Sequence, residues 1–310
     1  MMNEVFLVVD GNSVAHRAFH AMPVLTNKKG APVGAAHGFM LALLRAVEDF
    51  RPHYLAVCFD VKGGTFRDKE FADYKAQRSA TAPDLIKQLA AIQELLPKLG
   101  IAVFAREGFE ADDLIASVIS AAKKESGEIK FYILSGDYDS LQLVDGRVRA
   151  FIVNRGVKNA VMYDAGKVKE KFGVSPRQIP ALKALAGDNS DNIPGAPGIG
   201  PKAAAEILNN CGTLENALAL ARKNDGNFCS MSGARGEKIR KILLRNQEKL
   251  IQFERLATMI ESAPIGFSPE KCAFGNFADG AGRQALLDLG LAGIAKRLPE
   301  QNAGRNGTLF

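Results

Sequence analysis

The sequence has little of the chemistry that builds redox, zinc or membrane proteins. It contains no tryptophan, four histidines and only four cysteines in 310 residues. The cysteines, at positions 58, 211, 229 and 272, lie far apart without a CxxC or Cys/His cluster, so neither a disulfide framework nor a zinc site is predicted. A reducing cytoplasm suits this cysteine usage best. The opening apolar run, 5–9, is too short for a signal-peptide core, and no membrane segment is predicted.

The composition allows an ordinary soluble core. Hydrophobic residues make up 47% of the chain and there are only 13 prolines, which suits one large domain or two smaller ones. We predict an α/β domain over residues 1–174, a helical region over 175–298, and a disordered polar tail over 299–310. The net charge of +6 is compatible with a polyanionic partner, although many basic proteins never bind nucleic acid.

Short apolar runs alternate with helical patterns in the first half of the chain. The runs cover 5–9, 54–59, 101–104 and 129–134, and helical periodicity covers 34–50, 85–99 and the residues after 110. Strands separated by helices imply right-handed crossovers and a parallel sheet. In such a sheet every strand ends at the same edge, where open α/β sheets bind ligands.

Acidic residues follow the predicted strand ends and recur once in the helical region. A single acid at such a position is expected, because acidic residues stabilise helix N-termini. Three acids within 110–113 repel one another unless a bound cation or a proton reduces their negative charge. No histidine or cysteine accompanies them, so the set predicts the hard cations Mg²⁺ or Mn²⁺. The nine candidate ligands are Asp10, Asp60, Glu110, Asp112, Asp113, Asp137, Asp139, Asp188 and Asp191.

The stretch at 61–82 carries basic residues that could bind a polyanion. Residues 61–82 mix Arg67, Lys75 and Arg78 with aromatics such as Tyr74, which suits phosphates and exposed bases, although a solvated loop explains the composition equally well. Paired divalent cations can drive phosphodiester displacement while basic residues neutralise the phosphate. A hydrolase acting on nucleic acid would therefore use both the acidic residues, as metal ligands, and the basic residues, as phosphate contacts.

A glycine-rich hairpin at 195–202 precedes a predicted helix through residue 208. Its glycines do not follow the dinucleotide-binding order, and a hairpin feeding a helix N-terminus presents backbone N–H groups to an anion. A second predicted helix, 235–250, carries a basic stripe that is by default a solvated face but becomes a backbone-contact surface beside such a hairpin. The candidate DNA-binding residues here are Gly195, Gly198, Gly200, Lys202, Lys238, Lys241 and Arg245.

Nine motifs in a fixed order resemble one known family. They are DGNS at 10–13, RAFHA at 17–21, FD at 59–60, TFR at 65–67, YK at 74–75, EADD at 110–113, GDYD at 136–139, GDNSDN at 187–192 and GAPGIGPK at 195–202. Together they resemble the 5′-nuclease domain of bacterial DNA polymerase I, of the flap endonuclease group, over about residues 4–298. The resemblance implies a parallel PIN-like sheet flanked by helices, with a C-terminal helix-hairpin-helix region at about 190–210.

The resemblance also implies roles for individual residues. Asp10, Asp60, Glu110, Asp112 and Asp113 correspond to ligands of a first metal ion, and Asp137, Asp139, Asp188 and Asp191 to ligands of a second. Lys75 and Arg78 correspond to phosphate contacts in a helical arch at about 61–85, with Tyr74 stacking on a terminal base and Arg17 and Arg67 as further phosphate contacts. The cofactors implied are two Mg²⁺ or Mn²⁺ ions and a potassium ion at the hairpin.

The implied activity is that of a 5′-3′ exonuclease and flap endonuclease in primer removal and DNA repair, and a monomer is the default expectation. Its partners would be DNA flaps, duplexes with free 5′ ends and RNA-primed ends. Tyr138 and Ser140 depart from the family pattern, which has lysine and an apolar or acidic residue there. Two alternatives stay open: a structure-specific DNA-binding protein with weak catalysis, and a PIN-like ribonuclease, against which the glycine hairpin at 195–202 counts.

Overall fold

The computed structural model describes residues 4–23, 25–125, 128–153, 160–223, 228, 233–275 and 280–298. The strands are β1 (Val5–Asp10), β2 (Tyr54–Phe59), β3 (Ala102–Ala105), β4 (Lys130–Ser135), β5 (Val148–Ile152) and β6 (Val161–Tyr163). The helices are α1 (Gly11–Ala21), α2 (Gly34–Phe50), α3 (Phe66–Glu70), α4 (Pro83–Lys98), α5 (Ala111–Glu125), α6 (Ala165–Phe172), α7 (Ile179–Ala186), α8 (Pro201–Cys211), α9 (Leu214–Lys223), α10 (Gly233–Ala257), α11 (Pro269–Cys272), α12 (Gly280–Asp288) and α13 (Ala292–Ala295). The tail predicted to be disordered, 299–310, lies outside the described residues.

The six strands form one sheet in the order β3-β2-β1-β4-β5-β6. Five strands run parallel, which confirms the predicted fold class, while the short edge strand β6 pairs antiparallel with β5. The order reverses at β1, which lies between β2 and β4. A crevice therefore opens beyond the carboxyl ends of β1 and β4, at the switch point where such sheets bind ligands.

Both faces of the sheet are buried under helices. On β1, Phe6 and Val8 pack with α5 into one hydrophobic cluster, while Leu7 and Val9 pack with α2 and α4 into another. A parallel strand covered on both faces must be apolar at every position, which is why residues 5–9 form an unbroken apolar run. The two-sided core fixes the strand ends and so the positions of the acids that follow them.

The helical region was predicted in part. The helical region predicted from residue 175 begins with a 3₁₀ turn, Pro176–Gln178, and α7 follows it directly. The predicted helix at 235–250 is longer, since α10 has 25 residues and its apolar face continues through Phe253 and Leu256, both buried. Helix α7 packs against α10, and the glycine hairpin connects α7 to α8.

The composition led to expectations about membrane segments and about cysteine pairing. None of the described helices has the length and apolar character needed to cross a membrane. Of the described cysteines, Cys58 and Cys272 are free and buried, whereas Cys211 is disulfide-bonded, which the spacing of the cysteines did not indicate. Cysteine pairing depends on which residues the tertiary fold brings together, and sequence spacing alone does not report that.

Candidate metal and nucleic-acid site

The predicted acids meet at the carboxyl edge of the sheet. A cleft of about 970 Å³ opens there, and its acidic wall contains Asp10, Asp60, Glu110, Asp112, Asp137 and Asp139. A second group adjoins it, in which carboxylate oxygens of Asp139, Asp188 and Asp191 lie within 4.8 Å of one another. The strand ends of β1, β2 and β4 and the start of α5 position the acids of the cleft wall, as parallel-sheet geometry requires, while Asp188 and Asp191 come from the segment after α7.

Asp10 is oriented by Ser13, the last residue of the DGNS motif, and by Ser135, which lies outside the motifs. It ends β1 and caps α1, accepting hydrogen bonds from the backbone N–H of Ser13 at 2.9 Å and from the Ser135 hydroxyl at 2.8 Å. The Ser13 hydroxyl in turn accepts a hydrogen bond from the Gly136 N–H at 2.8 Å. Asp10 is only 4% exposed, and burial raises the pKa of its carboxyl. The position of Ser135, at the end of β4 directly before the GDYD motif, was the available signal.

The strongest indication of a cation site is Asp112. Its Oδ1 atom is buried and has no hydrogen-bond donor among the described residues. Burial, followed by the nearby charges of Asp10 and Asp137, raises the pKa of Asp112 well above its usual range. Burial and the charge of Asp139 likewise raise the pKa of Asp137 to about 7. A buried carboxylate without a donor costs free energy unless a cation or a proton compensates it, so these oxygens fit a hard divalent ion.

The second acidic group contains a lysine that sequence reasoning missed. The Lys183 ammonium contacts the carboxylates of both Asp139 and Asp188. Burial opposes ionisation of Asp188, but this ammonium and the Ser190 hydroxyl lower the pKa of the Asp188 carboxyl. Lys183 is the only charged residue in the sequence of α7. This isolated charge in an apolar helix was the one available sign of a buried role, although it does not identify the partners.

The predicted arch contributes Lys75 and Arg78 to the lining of the cleft and contacts the 188–192 turn. The Asp73 carbonyl accepts from the Asn192 side-chain amide at 2.7 Å, and the Lys75 N–H donates to the Asp191 carbonyl at 3.1 Å. The Lys75 ammonium lies 2.8 Å from Glu110 Oε2, and Arg78 Nη2 lies 2.9 Å from Asp191 Oδ1. Lys75 adopts a φ of +55°, an uncommon conformation for a residue with a side chain. The structure therefore places both basic residues over the acids.

Arg67 and Asp113 form a buried ion pair, which argues against their expected roles. Arg67 Nη1 and Nη2 lie 2.7 and 2.8 Å from the two carboxylate oxygens of Asp113, and the residues are 2% and 0% exposed. Asp113 also accepts from the backbone N–H of Glu110 and Ile260, and Arg67 donates to the carbonyls of Leu256 and Thr258. These partners occupy the Asp113 carboxylate and the Arg67 guanidinium. The proposed metal ligands therefore do not include Asp113, and the proposed phosphate contacts do not include Arg67.

Tyr74 and Arg17 also differ in their availability. Tyr74 is 5% exposed, its hydroxyl lies 3.3 Å from Glu110 Oε2, and the Lys75 ammonium lies 4.8 Å from its ring centre. The ring is therefore covered, and the structure gives no support to stacking on a base. Arg17 lines the cleft, with Nε and Nη2 donating to the Gly136 carbonyl at 3.0 and 2.9 Å. That pairing fixes the guanidinium at the cleft wall.

The two departures from the family pattern support the loop after β4. Tyr138 packs edge-on against Tyr163 and Phe172, with ring centres 5.9 Å apart in both cases. Ser140 is fully buried and donates to the Asp137 carbonyl at 3.0 Å. Both residues therefore hold the segment that carries Asp137 and Asp139.

The glycine hairpin lies between α7 and α8 and next to α10. Gly195 has a φ of +70°, and a Cβ there would lie 2.3 Å from the Gly187 nitrogen, so only glycine fits. Gly198 has a φ of +92° and lies against Ile242 of α10. Gly200 caps α8 without a side-chain hydrogen bond, which leaves N–H groups of the first turn available to an anion.

The basic residues near the hairpin are exposed. Lys202, Lys238, Lys241 and Arg245 all have exposed side chains, and the last three lie on α10. Lys241 also lies 3.4 Å from Glu237, which offsets part of its charge. The structure thus brings the hairpin and the stripe to neighbouring positions, as an extended phosphate-binding surface requires.

Family comparisons agree with this arrangement along most of the chain. The family model for the 5′-3′ exonuclease, N-terminal resolvase-like domain matches residues 5–173, and that for the 5′-3′ exonuclease, C-terminal SAM fold matches residues 174–279. DNA polymerase I of Bacillus caldotenax is 37% identical over 273 residues, covering 88% of this chain and 30% of the relative. DNA polymerase I of Bacillus subtilis is 35% identical over 297 residues, covering 96% and 32%. The chain thus spans less than a third of these relatives.

Solved structures share the fold at low sequence identity. The T5 D15 protein co-crystallised with metal ions matches with a TM-score of 0.65 at 20% identity, covering 94% of this chain and 100% of that one. The catalytic core of Rad2 in complex with DNA substrate matches with a TM-score of 0.55 at 18% identity, covering 93% and 88%. With both family models matched in sequence along most of its length, the chain belongs to the 5′-3′ exonuclease family.

Proposed function

We propose that the chain is a divalent-metal-dependent 5′ nuclease that hydrolyses DNA phosphodiester bonds at 5′ flaps and at free or RNA-primed 5′ ends. The observation that carries the proposal is Asp112, whose buried Oδ1 has no donor among the described residues in a cleft of oriented acids. Family membership supports a 5′-3′ exonuclease, and its polymerase I relatives support roles in primer removal and repair.

The residues present fit two Mg²⁺ or Mn²⁺ ions. The donors are carboxylate oxygens, which these hard cations prefer. Asp10, Asp60, Glu110 and Asp112 would hold one ion and Asp139, Asp188 and Asp191 the other, while the charge of Asp137 interacts with Asp139 and with Asp10, one from each group. When bound, such ions supply an activated water and stabilise the leaving oxygen.

The protein's own basic groups would bind and orient the scissile phosphate. Lys75 and Arg78 extend over the acids from the arch, where an entering phosphate offers each an alternative anionic partner. Arg17 is held at the cleft wall by the Gly136 carbonyl. We propose these three residues as the phosphate contacts of the reaction.

The hairpin and α10 would hold duplex DNA away from the cleft without reading its sequence. Backbone N–H groups at the α8 N-terminus and the exposed Lys202, Lys238, Lys241 and Arg245 suit phosphate oxygens. A potassium ion at the hairpin belongs to the same proposal. We propose an α/β domain over 1–174 and a helical DNA-binding region over 175–298, a division that the two family matches support. We further propose that it acts as a cytoplasmic monomer.

We expect Lys202→Ala to weaken duplex binding equally for different sequences. Each lost phosphate contact lowers the slope of log affinity against log salt by about 0.9. Fluorescence anisotropy over a salt series measures both effects, and Lys169→Ala, an exposed lysine on α6, is the matched control. An unchanged salt slope in the Lys202 variant would limit the hairpin to a structural role.

The proposed function is tested with a 5′-labelled flap duplex. We expect labelled products near the flap junction in Mg²⁺, none with EDTA, and a far slower reaction for Asp188→Asn. Because the hairpin is untouched in this variant, its DNA affinity in chelator should match that of the wild type. Flap binding without cleavage by the wild type would instead indicate a DNA-binding protein, and cleavage restricted to RNA would indicate a ribonuclease.

A further inference from the structure

The two acidic groups differ in how the protein compensates their charge. In the second group, Asp139 and Asp188 contact the Lys183 ammonium, and Asp191 pairs with Arg78 at 2.9 Å. In the first group, Glu110 pairs with Lys75, but no lysine or arginine of the described residues forms an ion pair with Asp10, Asp60 or Asp112. In the second group the protein therefore sets two cations against three carboxylates, while three of the four acids of the first group have no ion-pair partner among the described residues.

Lys183 and Arg78 differ in how exposed their side chains are and in the kind of segment that carries them. The Lys183 side chain is 15% exposed and extends from α7, which packs against α10. The Arg78 side chain is 50% exposed and belongs to the irregular arch segment. Arg78, which donates to the Ser190 carbonyl and to Asp191, is therefore the more solvent-accessible cation, whereas the Lys183 ammonium stays close to Asp139 and Asp188 unless another cation displaces it.

The contacts of Lys183 use the carboxylates that a second divalent ion needs. Asp139 and Asp188 are two of the three residues whose oxygens lie within 4.8 Å of one another. Their mutual repulsion is relieved by the ammonium, and removing one member of a buried charged group leaves the others uncompensated. A divalent ion at this place must therefore compete with a positive charge that the fold itself supplies.

We propose that Lys183 is a built-in counter-ion of the Asp139, Asp188 and Asp191 group, which keeps that group assembled without metal and makes its ion bind more weakly than the first. The inference rests on the metal site of the proposed function. It assigns Lys183 a positioning role and predicts ordered filling: the first group binds its ion at low metal concentration, and the second only when the metal displaces the ammonium.

Calorimetric titration with Mn²⁺ alone, without DNA, tests this order. We expect two binding events in the wild type, and Asp188→Asn should identify the second group by removing the weaker one. In Lys183→Met the competing charge is gone, so the weaker event should tighten by about tenfold to a hundredfold, or about 1.4 to 2.8 kcal/mol. Lys169→Met, the same change at an exposed position of α6, should leave both events unchanged.

Thermal unfolding provides a readout that does not depend on binding heats. In chelator, Lys183→Met should unfold at a lower temperature than the wild type, because three neighbouring acids lose a counter-ion. Added Mn²⁺ should then raise the unfolding temperature of the variant more than that of the wild type. Lys183→Arg keeps the charge and should retain both wild-type patterns, which supplies a folded comparison if the methionine variant is too unstable.

Two outcomes would overturn the inference. An unchanged weaker event together with an unchanged unfolding temperature in chelator would show that Lys183 does not compensate the acids. Loss of the weaker event in Lys183→Met would show that the lysine is needed to hold the ligands rather than competing for them. The proposed function fails separately, because a wild type that shows the expected titrations but cuts no flap contradicts only the nuclease assignment.

Discussion

Arg67→Ala is expected to lower the free energy of unfolding by about 3–5 kcal/mol, the cost of leaving one member of a buried ion pair without its partner. Arg67 is 2% exposed and binds both oxygens of Asp113. It also donates to the carbonyls of Leu256 and Thr258, and so joins the first helix of the arch to α5 and to the end of α10. Urea denaturation measures the loss directly.

Two comparisons separate this ion pair from a role in phosphate binding. Arg106→Ala, at an exposed position, should change stability by no more than about 0.5 kcal/mol. The double variant Arg67→Ala/Asp113→Ala should lose less than the sum of the single variants, because both charges are removed together. If Arg67→Ala remained as stable as the wild type but cut DNA slowly, the expected phosphate contact would be right and the structural assignment wrong.

Asp112→Asn is expected to abolish cleavage and, in chelator, to stabilise the protein. Loss of a ligand should cost more than the about 10–100-fold that loss of an outer-shell partner costs a metal site. Without metal, the same change removes a buried charge that has no donor on Oδ1 and that lies near Asp10 and Asp137. Each 1 kcal/mol gained raises the unfolding temperature by about 2–4 °C in domains of 150–250 residues.

Flap cleavage in Mg²⁺ and thermal unfolding in EDTA measure the two effects. Glu48→Gln, a neutralised acid on the exposed face of α2, should change neither. A lower unfolding temperature for Asp112→Asn in EDTA would mean that the carboxylate makes a stabilising contact in the metal-free protein, and would remove it from the ligand set. Lost cleavage in Mg²⁺ together with a higher unfolding temperature in EDTA is the result expected of a metal ligand.

The position of the acids was predictable because it depends on local patterns and on one rule of sheet geometry. The apolar run of β1 ends in Asp10 and that of β2 is followed by Asp60, and parallel strands bring such ends to one edge. Residue type then limited the ions to hard cations. The family resemblance supplied the arch, which composition alone left open to a solvated loop, and it identified the glycine hairpin at 195–202 as part of a helix-hairpin-helix region.

The pairing of buried charges was not predictable in the same way. Arg67 and Asp113 are 46 residues apart, and nothing in their local sequence distinguishes a structural ion pair from a phosphate contact and a metal ligand. The same holds for Lys183, whose contacts with Asp139 depend on how α7 packs. The capping box at Thr65 and Asp68, which begins α3, was the one local sign that this part of the arch is helical.

The most direct test of the central claim is the position of bound metal. Crystals grown with Mn²⁺ and measured near the manganese absorption edge would show each ion as an anomalous peak. We predict one peak among Asp10, Asp60 and Asp112 at low Mn²⁺, and a second among Asp139, Asp188 and Asp191 at higher Mn²⁺. An Asp112 carboxylate without a peak at saturating Mn²⁺ would contradict the assignment of this cleft as a metal-dependent nuclease site.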